Sequence, residues 1–549
     1  MKFLKVLSNS SISGLFFSSL LALLVFDLNI NVPAKLPAWG SMTLFLMISY
    51  GLLTALICLL LFFVFHFFSG KENKTGWISF SFLTMSFSVL VLLYLIIFKE
   101  NYNYFLSFFE PRVQFLLKTQ MAALFIFSIA GFFAHYLHRR HKKRQLLRWG
   151  YFVLSSVLLA FLFLQRTNYP LVGMSEKLAY FETKKIQKKI FILGLEGLSF
   201  HFLIPLSSEG KLPNFTQLME WGSWGRIKSL TPSDSFVLKS SFNTGKLPAK
   251  HRQISSIQYQ AAAVRQRIEI VPRFILFRQL TRIGLLKILP QENPQTPVDI
   301  WKILANNQTP ILIKDGKVGP EDLPSSQRTI KLFSLLFQDL QLETSPIFLA
   351  VKTAFLRDCE YEEKAIQEKN ILQPQLFYLH LNGLNTAESL FYRYNFPDSF
   401  GTIEQEEIDR YRPVIEKYYQ FYDQIIGKYL AALKEDELFV AYSPYGIDPL
   451  PVWKRYVEWL LGNADVSASH EGAPDGAIFF YGKGIQRGKN IEGMTLMDVT
   501  PTLLYYLGLP VGKDMDGIVQ SSLFTNEFTA ENPVFYISSY EEEKRKNSK

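Results

Sequence analysis

Ser233, Asp234 and Ser235 stand together in the string Leu230-Thr-Pro-Ser-Asp-Ser235-Phe-Val-Leu-Lys239. All three are residue types that cap the start of a helix, and the residues that follow read as one. A helix N-terminus presents free N–H groups and the positive end of a dipole, so the same spot can hold an anion. Asp234 opposes an anion with its own charge, while Lys239, one turn on and on the same face, offers a cation. A serine hydroxyl becomes a nucleophile only beside a base or a metal. The later two-thirds of the chain holds four histidines, His201, His251, His380 and His470. His201 follows the first loop by a helical turn, His251 closes a turn, and His380 sits inside a strand. These three read as structural.

The elements that must position such groups follow from hydrophobic pattern. Lys189-Ile-Phe-Ile-Leu-Gly-Leu-Glu196-Gly reads as a buried strand that delivers Glu196 to a loop at its C-terminal end. Further strands are expected at Pro310-Ile-Leu-Ile-Lys, Gln375-Leu-Phe-Tyr-Leu-His, Glu437-Leu-Phe-Val-Ala-Tyr and Gly476-Ala-Ile-Phe-Phe-Tyr, with a long amphipathic helix from Tyr411 to Leu433. Strands alternating with helices predict an α/β sandwich with a largely parallel sheet. In such sheets functional groups gather in the loops past the C-terminal strand ends.

The Ser235 string runs on to Thr244-Gly245-Lys-Leu-Pro-Ala-Lys-His251. It resembles the nucleophile segment of the type I phosphodiesterase and nucleotide pyrophosphatase branch of the alkaline phosphatase superfamily. There a Ser or Thr opens a helix that ends in a Thr-Gly-x-x-Pro-x-x-His turn, and the match puts Ser235 at the nucleophile position. Three more segments agree in order. Phe191-Ile-Leu-Gly-Leu-Glu-Gly looks like the first strand and its metal-binding loop. His470-Glu-Gly-Ala-Pro-Asp-Gly resembles the late His-Pro-Asp-Gly segment, and Leu496-Met-Asp-Val-Thr-Pro-Thr with Asp514-Met-Asp-Gly resembles the closing helix and turn. The resemblance implies an alkaline-phosphatase-like domain over residues 188–530, after a linker at 167–187 and before a charged tail at 531–549.

The resemblance also implies two zinc-type ions that hold nucleophile, phosphoryl group and leaving oxygen, bound by six Asp and His ligands. This chain departs from that set. Glu196 stands at the first Asp. Asn385 and Ser389 occupy the Asp-x-x-x-His position, Pro444 and Tyr445 the Asp-His position, and only His470 is retained. One metal site would keep a single imidazole and the other Glu196 with Ser235. The expectation is a domain with no cofactor; zinc or another divalent ion enters only if activity persists through altered ligands.

Hydrophobic residues make up 48 % of the chain and aromatics 15 %, with 49 Phe concentrated in the first third. Five apolar stretches, at about 11–30, 41–68, 77–98, 119–137 and 149–165, are long enough to cross the ~30 Å hydrocarbon layer. They predict a five-helix transmembrane region over residues 1–166. The net charge of +10 includes Arg139, Arg140, Lys142, Lys143, Arg144 and Arg148, between two such stretches, which marks orientation and does not point to nucleic acid. With the N-terminus in the cytoplasm, that cluster joins Lys2, Lys5, Lys71 and Lys74 inside, ten in all, against Lys35, Lys99, Arg112 and Lys118 outside. The predicted protein is a multi-pass cell-membrane protein with an extracytoplasmic C-terminal domain. Cys58 lies in an apolar stretch and Cys359 in the later domain, so no disulfide is expected. Three functions compete. One is a pseudoenzyme that binds or assembles in a cell-envelope process, with other membrane proteins or a phosphate-bearing ligand as partner. The second is a phosphodiesterase or phosphotransferase with unusual ligands, and the third a membrane scaffold.

Overall fold

The structure is a computed structural model that describes residues 2–51, 56–57, 59–61, 79–140, 145–169, 177–182, 185–273, 277–291, 296–315, 326–338, 340, 345–460, 462–472 and 475–542. The described residues pack as two compact units. One comprises Met1–Met174 with Pro248–Gln295, the other Ser175–Leu247 with Thr296–Lys549.

The first unit is built on helices α1 (Lys2–Leu28), α2 (Leu36–Ser49), α3 (Phe80–Tyr104), α4 (Pro111–Arg140) and α5 (Gln145–Thr167). Four of them contain segments long and apolar enough to cross a membrane, Val6–Leu28, Phe80–Tyr104, Pro111–Leu137 and Gly150–Thr167. These match four of the five expected spans. The second expected span, 41–68, starts earlier, as the shorter α2, and much of its remainder lies outside the described residues. So do Cys58 and part of the basic loop. Cys359 is buried and free.

Chain division differs from the expected boundaries because 248–295 packs with the helices. The side-chain amide of Asn29 donates to Ile270 O (2.8 Å) and accepts from the N–H groups of Glu269 and Ile270 (2.7 Å each). Asn101 clamps the backbone of Arg273 in the same two-way fashion, and Arg252 pairs with Glu110 at 2.6 Å. An amide satisfies a donor and an acceptor at once, so it ties down a segment that has no ladder partner there.

The second unit is organised by one seven-stranded sheet: β1 (Lys189–Leu195), β2 (Ser223–Ile227), β3 (Ile311–Asp315), β4 (Leu376–Leu381), β5 (Glu437–Tyr445), β6 (Asp475–Gly482) and β7 (Lys489–Ile491), in the order β7-β2-β6-β5-β1-β4-β3. Only β6 runs against its neighbours; β3, β4, β1 and β5 are parallel. Both faces are covered, so β1 is a continuous apolar run. Ile190 and Ile192 enter one core, and Phe191, Leu193 and Leu195 the other. The α/β sandwich with a largely parallel sheet is therefore as expected. The expected helix over 411–433 is Pro413–Ala431, with Tyr418, Tyr422 and Ile426 inside the second of those cores.

Candidate functional site

Strands β4, β1 and β5 lie side by side and end at the same edge, which sets what meets there. Leu195 is in register with Leu381, and Gly194 with His380 on one side and Tyr442 on the other. Glu196 then follows directly, its N–H donating to Leu381 O at 3.0 Å. A Cβ on Gly194 would stand 2.4 Å from His380 Nδ1, so only glycine there leaves room for the imidazole to lie across β1. Ser443 ties the other side of the loop: Gly197 N–H donates to its Oγ (3.1 Å), which donates to Tyr445 O (2.7 Å). Ser235 arrives from the first turn of α6 (Ser235–Thr244), capped by Asp234.

These groups converge on one carboxylate. Glu196 Oε1 accepts from Ser235 Oγ at 2.5 Å and pairs with His380 Nε2 at 2.8 Å, while Oε2 accepts from Tyr445 OH at 2.6 Å. Glu196 is only 5 % exposed. Burial pushes its pKa up, but the hydrogen bond and charge of His380, with the Ser235 and Tyr445 hydroxyls, outweigh burial and hold it at about 2. Behind it, His380 Nδ1 meets Tyr378 OH at 3.2 Å, and Tyr378 OH meets Tyr442 OH at 3.0 Å. Burial, then the negative charge of Glu196, pushes the Tyr445 phenol well above its ordinary pKa. It is a donor and not a phenolate.

The positions singled out in sequence fare differently. Glu196, Ser235 and Tyr445 come together, and His470 stacks on the Tyr445 ring with centroids 4.5 Å apart. Burial pushes the His470 pKa below the ordinary histidine value, so its imidazole is neutral at pH 7. Pro444 is part of β5 itself, which runs three residues past the expected strand end. Asn385 and Ser389 lie on α7 (Gly383–Asn395). Asn385 sits beside Gly197, and Ser389 Oγ turns back to Thr386 O at 3.0 Å. Lys239 pairs with Asp315 and lies over the Tyr378 ring, so it does not stand in for a lost cation. Asp234 already accepts from the N–H groups of Phe236 (3.0 Å) and Val237 (3.2 Å), filling the anion position at the start of α6.

Two site residues escaped the sequence reading. His380, taken there as structural, is a direct partner of Glu196; the cue was its place at the C-terminal end of a strand adjacent to β1. Glu388, fully buried on α7, accepts from Tyr419 OH at 3.0 Å. Among the described residues its Oε2 has no hydrogen-bond partner, and it faces Gly197, where a Cβ would stand 2.6 Å away. Burial pushes this carboxyl well above its ordinary pKa.

The donor set does not fit a pair of zinc-type ions. No group of three His, Cys, Asp or Glu converges on a common point among the described residues. Glu196 has its oxygens committed to three protein donors, and burial disfavours the charged form of Glu388. At a pKa of about 2, Glu196 is a weak base toward the Ser235 hydroxyl.

Residues 190–262 match the family model described as type I phosphodiesterase / nucleotide pyrophosphatase. No curated protein sequence is significantly similar to the chain. Among solved structures, murine ectonucleotide pyrophosphatase/phosphodiesterase 5 matches at 10 % identity over 62 % of this chain and 100 % of its own, with a TM-score of 0.38.

Proposed function

We propose, from the match of residues 190–262 to the type I phosphodiesterase / nucleotide pyrophosphatase family model, that the chain works as a membrane-anchored pseudoenzyme of that branch. In this reading the helices span a cell membrane with the N-terminus in the cytoplasm, as the distribution of Lys and Arg favours. The second unit then lies outside the cytoplasm and acts as a binding or assembly component of the cell envelope, with other membrane proteins as its partners. One observation carries the reading. The Glu196 carboxylate is saturated by Ser235, His380 and Tyr445, and Tyr445 stands where the motif places a metal-binding histidine. Protein donors thus supply the positive potential that ions supply in the active branch, and the nucleophile position becomes one donor among three. A phosphate is a poor ligand at this point, since the Glu196 carboxylate repels it and Asp234 already accepts from the N–H groups at the start of α6.

A second reading, a phosphodiesterase or phosphotransferase with altered ligands, draws on the 2.5 Å contact of Ser235 with a carboxylate. The two separate in one assay. The full-length protein is given a chromogenic phosphodiester with zinc or manganese, beside Ser235→Ala. The expected result is no turnover above that variant. Metal-dependent turnover that vanishes in Ser235→Ala rejects the pseudoenzyme and installs the enzyme.

A further inference from the structure

Helix α8 (Val452–Leu460) is mounted inside out. At 100° per residue, Val452, Trp453, Tyr456, Val457, Trp459 and Leu460 fall on one continuous arc, with Lys454, Arg455 and Glu458 on the other. Such an arc ordinarily faces a core. Here none of the helix is buried, and Val452, Trp453, Tyr456 and Trp459 are 73, 61, 60 and 59 % exposed. The polar side does the attaching. Lys454 Nζ pairs with Glu471 at 2.7 Å, the Arg455 guanidinium lies over the Phe400 ring at 4.6 Å, and Glu458 accepts from Asn463 at 2.9 Å. A contiguous apolar face held outward by polar contacts on the opposite side marks a surface that something else covers.

We propose that this face seats in the interfacial layer of the same bilayer that holds the chain's own apolar helices, on the extracytoplasmic side; the proposal rests on the membrane-anchored reading above. Two observations select lipid over a protein. The face carries two Trp and a Tyr, amphipathic rings that concentrate at the level of the headgroups. The chain also crosses between the two units three times, after Met174, at Leu247–Pro248 and at Gln295–Thr296. The second unit is therefore leashed to the bilayer surface, whereas a separate partner must arrive by diffusion.

The test uses the full-length protein in vesicles of phosphatidylcholine and phosphatidylglycerol, with and without bromination of the phosphatidylcholine, which quenches nearby tryptophan. The wild type has 8 Trp, and Trp453→Phe with Trp459→Phe leaves 8 − 2 = 6, so the difference between the two proteins isolates α8. The expected result is a loss of emission in the wild type that is larger than in the variant. Equal, non-zero quenching, contributed by tryptophans such as Trp39 of α2, overturns the proposal while the membrane reading stands. In that case, loss of self-association in Trp453→Ser with Trp459→Ser assigns the face to a second copy. Quenching in neither protein removes the membrane reading and this proposal with it. Both substitutions are at exposed positions, and an unchanged far-ultraviolet circular dichroism spectrum and melting temperature verify that the variants fold.

Discussion

Glu196 and Glu388 are both buried glutamates beside the turn at Gly197, yet their pKa values shift in opposite directions. Glu196, at the end of β1, collects three donors and stays ionised, with a pKa of about 2. Glu388, on α7, has the single hydroxyl of Tyr419 and an orphaned oxygen, and its pKa is driven well up. Burial opposes ionisation in both, so the number and kind of donors decides. Protein donors favour the charged form at Glu196, while burial with a single donor disfavours it at Glu388.

The largest effect expected from this contrast is at Glu196→Ala. It leaves the buried His380 and Tyr445 without their carboxylate, whereas exposed Ser235 can turn to water, and removing one partner of a buried pair costs about 3–5 kcal/mol. Thermal unfolding of the full-length protein in detergent, followed by the near-ultraviolet signal of the tyrosine-rich second unit, is expected to show that loss. A melting temperature within a degree or so of the wild type would mean that the three contacts do not form.

Next in size is the acid limb of the wild type. With a folded pKa of about 2 against an ordinary 4.5, Glu196 stabilises fully above about pH 4.5, and the contribution is lost as pH falls toward 2. The shift is equivalent to about 3 kcal/mol. Glu388 has the reverse sign: its folded pKa is raised, so its contribution is complete below about pH 4.5 and is lost as pH rises toward the folded value. Melting temperature measured against pH is expected to fall on both sides. A curve that stays flat between pH 4.5 and 2 would break the contrast at Glu196.

The smallest effect is expected at Glu388→Gln. An amide copies a protonated carboxyl in shape and accepts from Tyr419 equally well, so stability near pH 5 is expected to change by no more than about 1 kcal/mol. The same variant is expected to flatten the decline above that pH. Strong destabilisation at every pH would show that Glu388 is ionised and paired.

Much of this was legible beforehand. The run Lys189–Leu195 announces a doubly covered strand, because seven residues without alternation have no solvent face. Thr244-Gly245 dates Ser235 to the first turn of a helix. The departures at Asn385, Ser389, Pro444 and Tyr445 are likewise readable one residue at a time. His380 was not legible as a site residue. A histidine within a strand points to either face with equal ease, and only the register that sets it opposite Gly194 turns it across β1 onto Glu196.

What the chain settles by itself is the set of local and periodic facts: apolar helices first, α/β alternation after, and a capped helix at Ser235. Each depends on neighbours a few positions away. Tertiary structure alone decides what depends on distant partners. It brings Tyr445 to Glu196 across 249 positions and His380 across 184. It packs 248–295 with the apolar helices through Asn29 and Asn101, and it leaves α8 with its apolar face outward. Hydrophobic pattern tells which side chains prefer burial, but which of them find a partner is fixed by strand register and by the ion pairs that orient each element. That is why the pattern of α8 reads as an ordinary core helix until Lys454 is seen to hold Glu471.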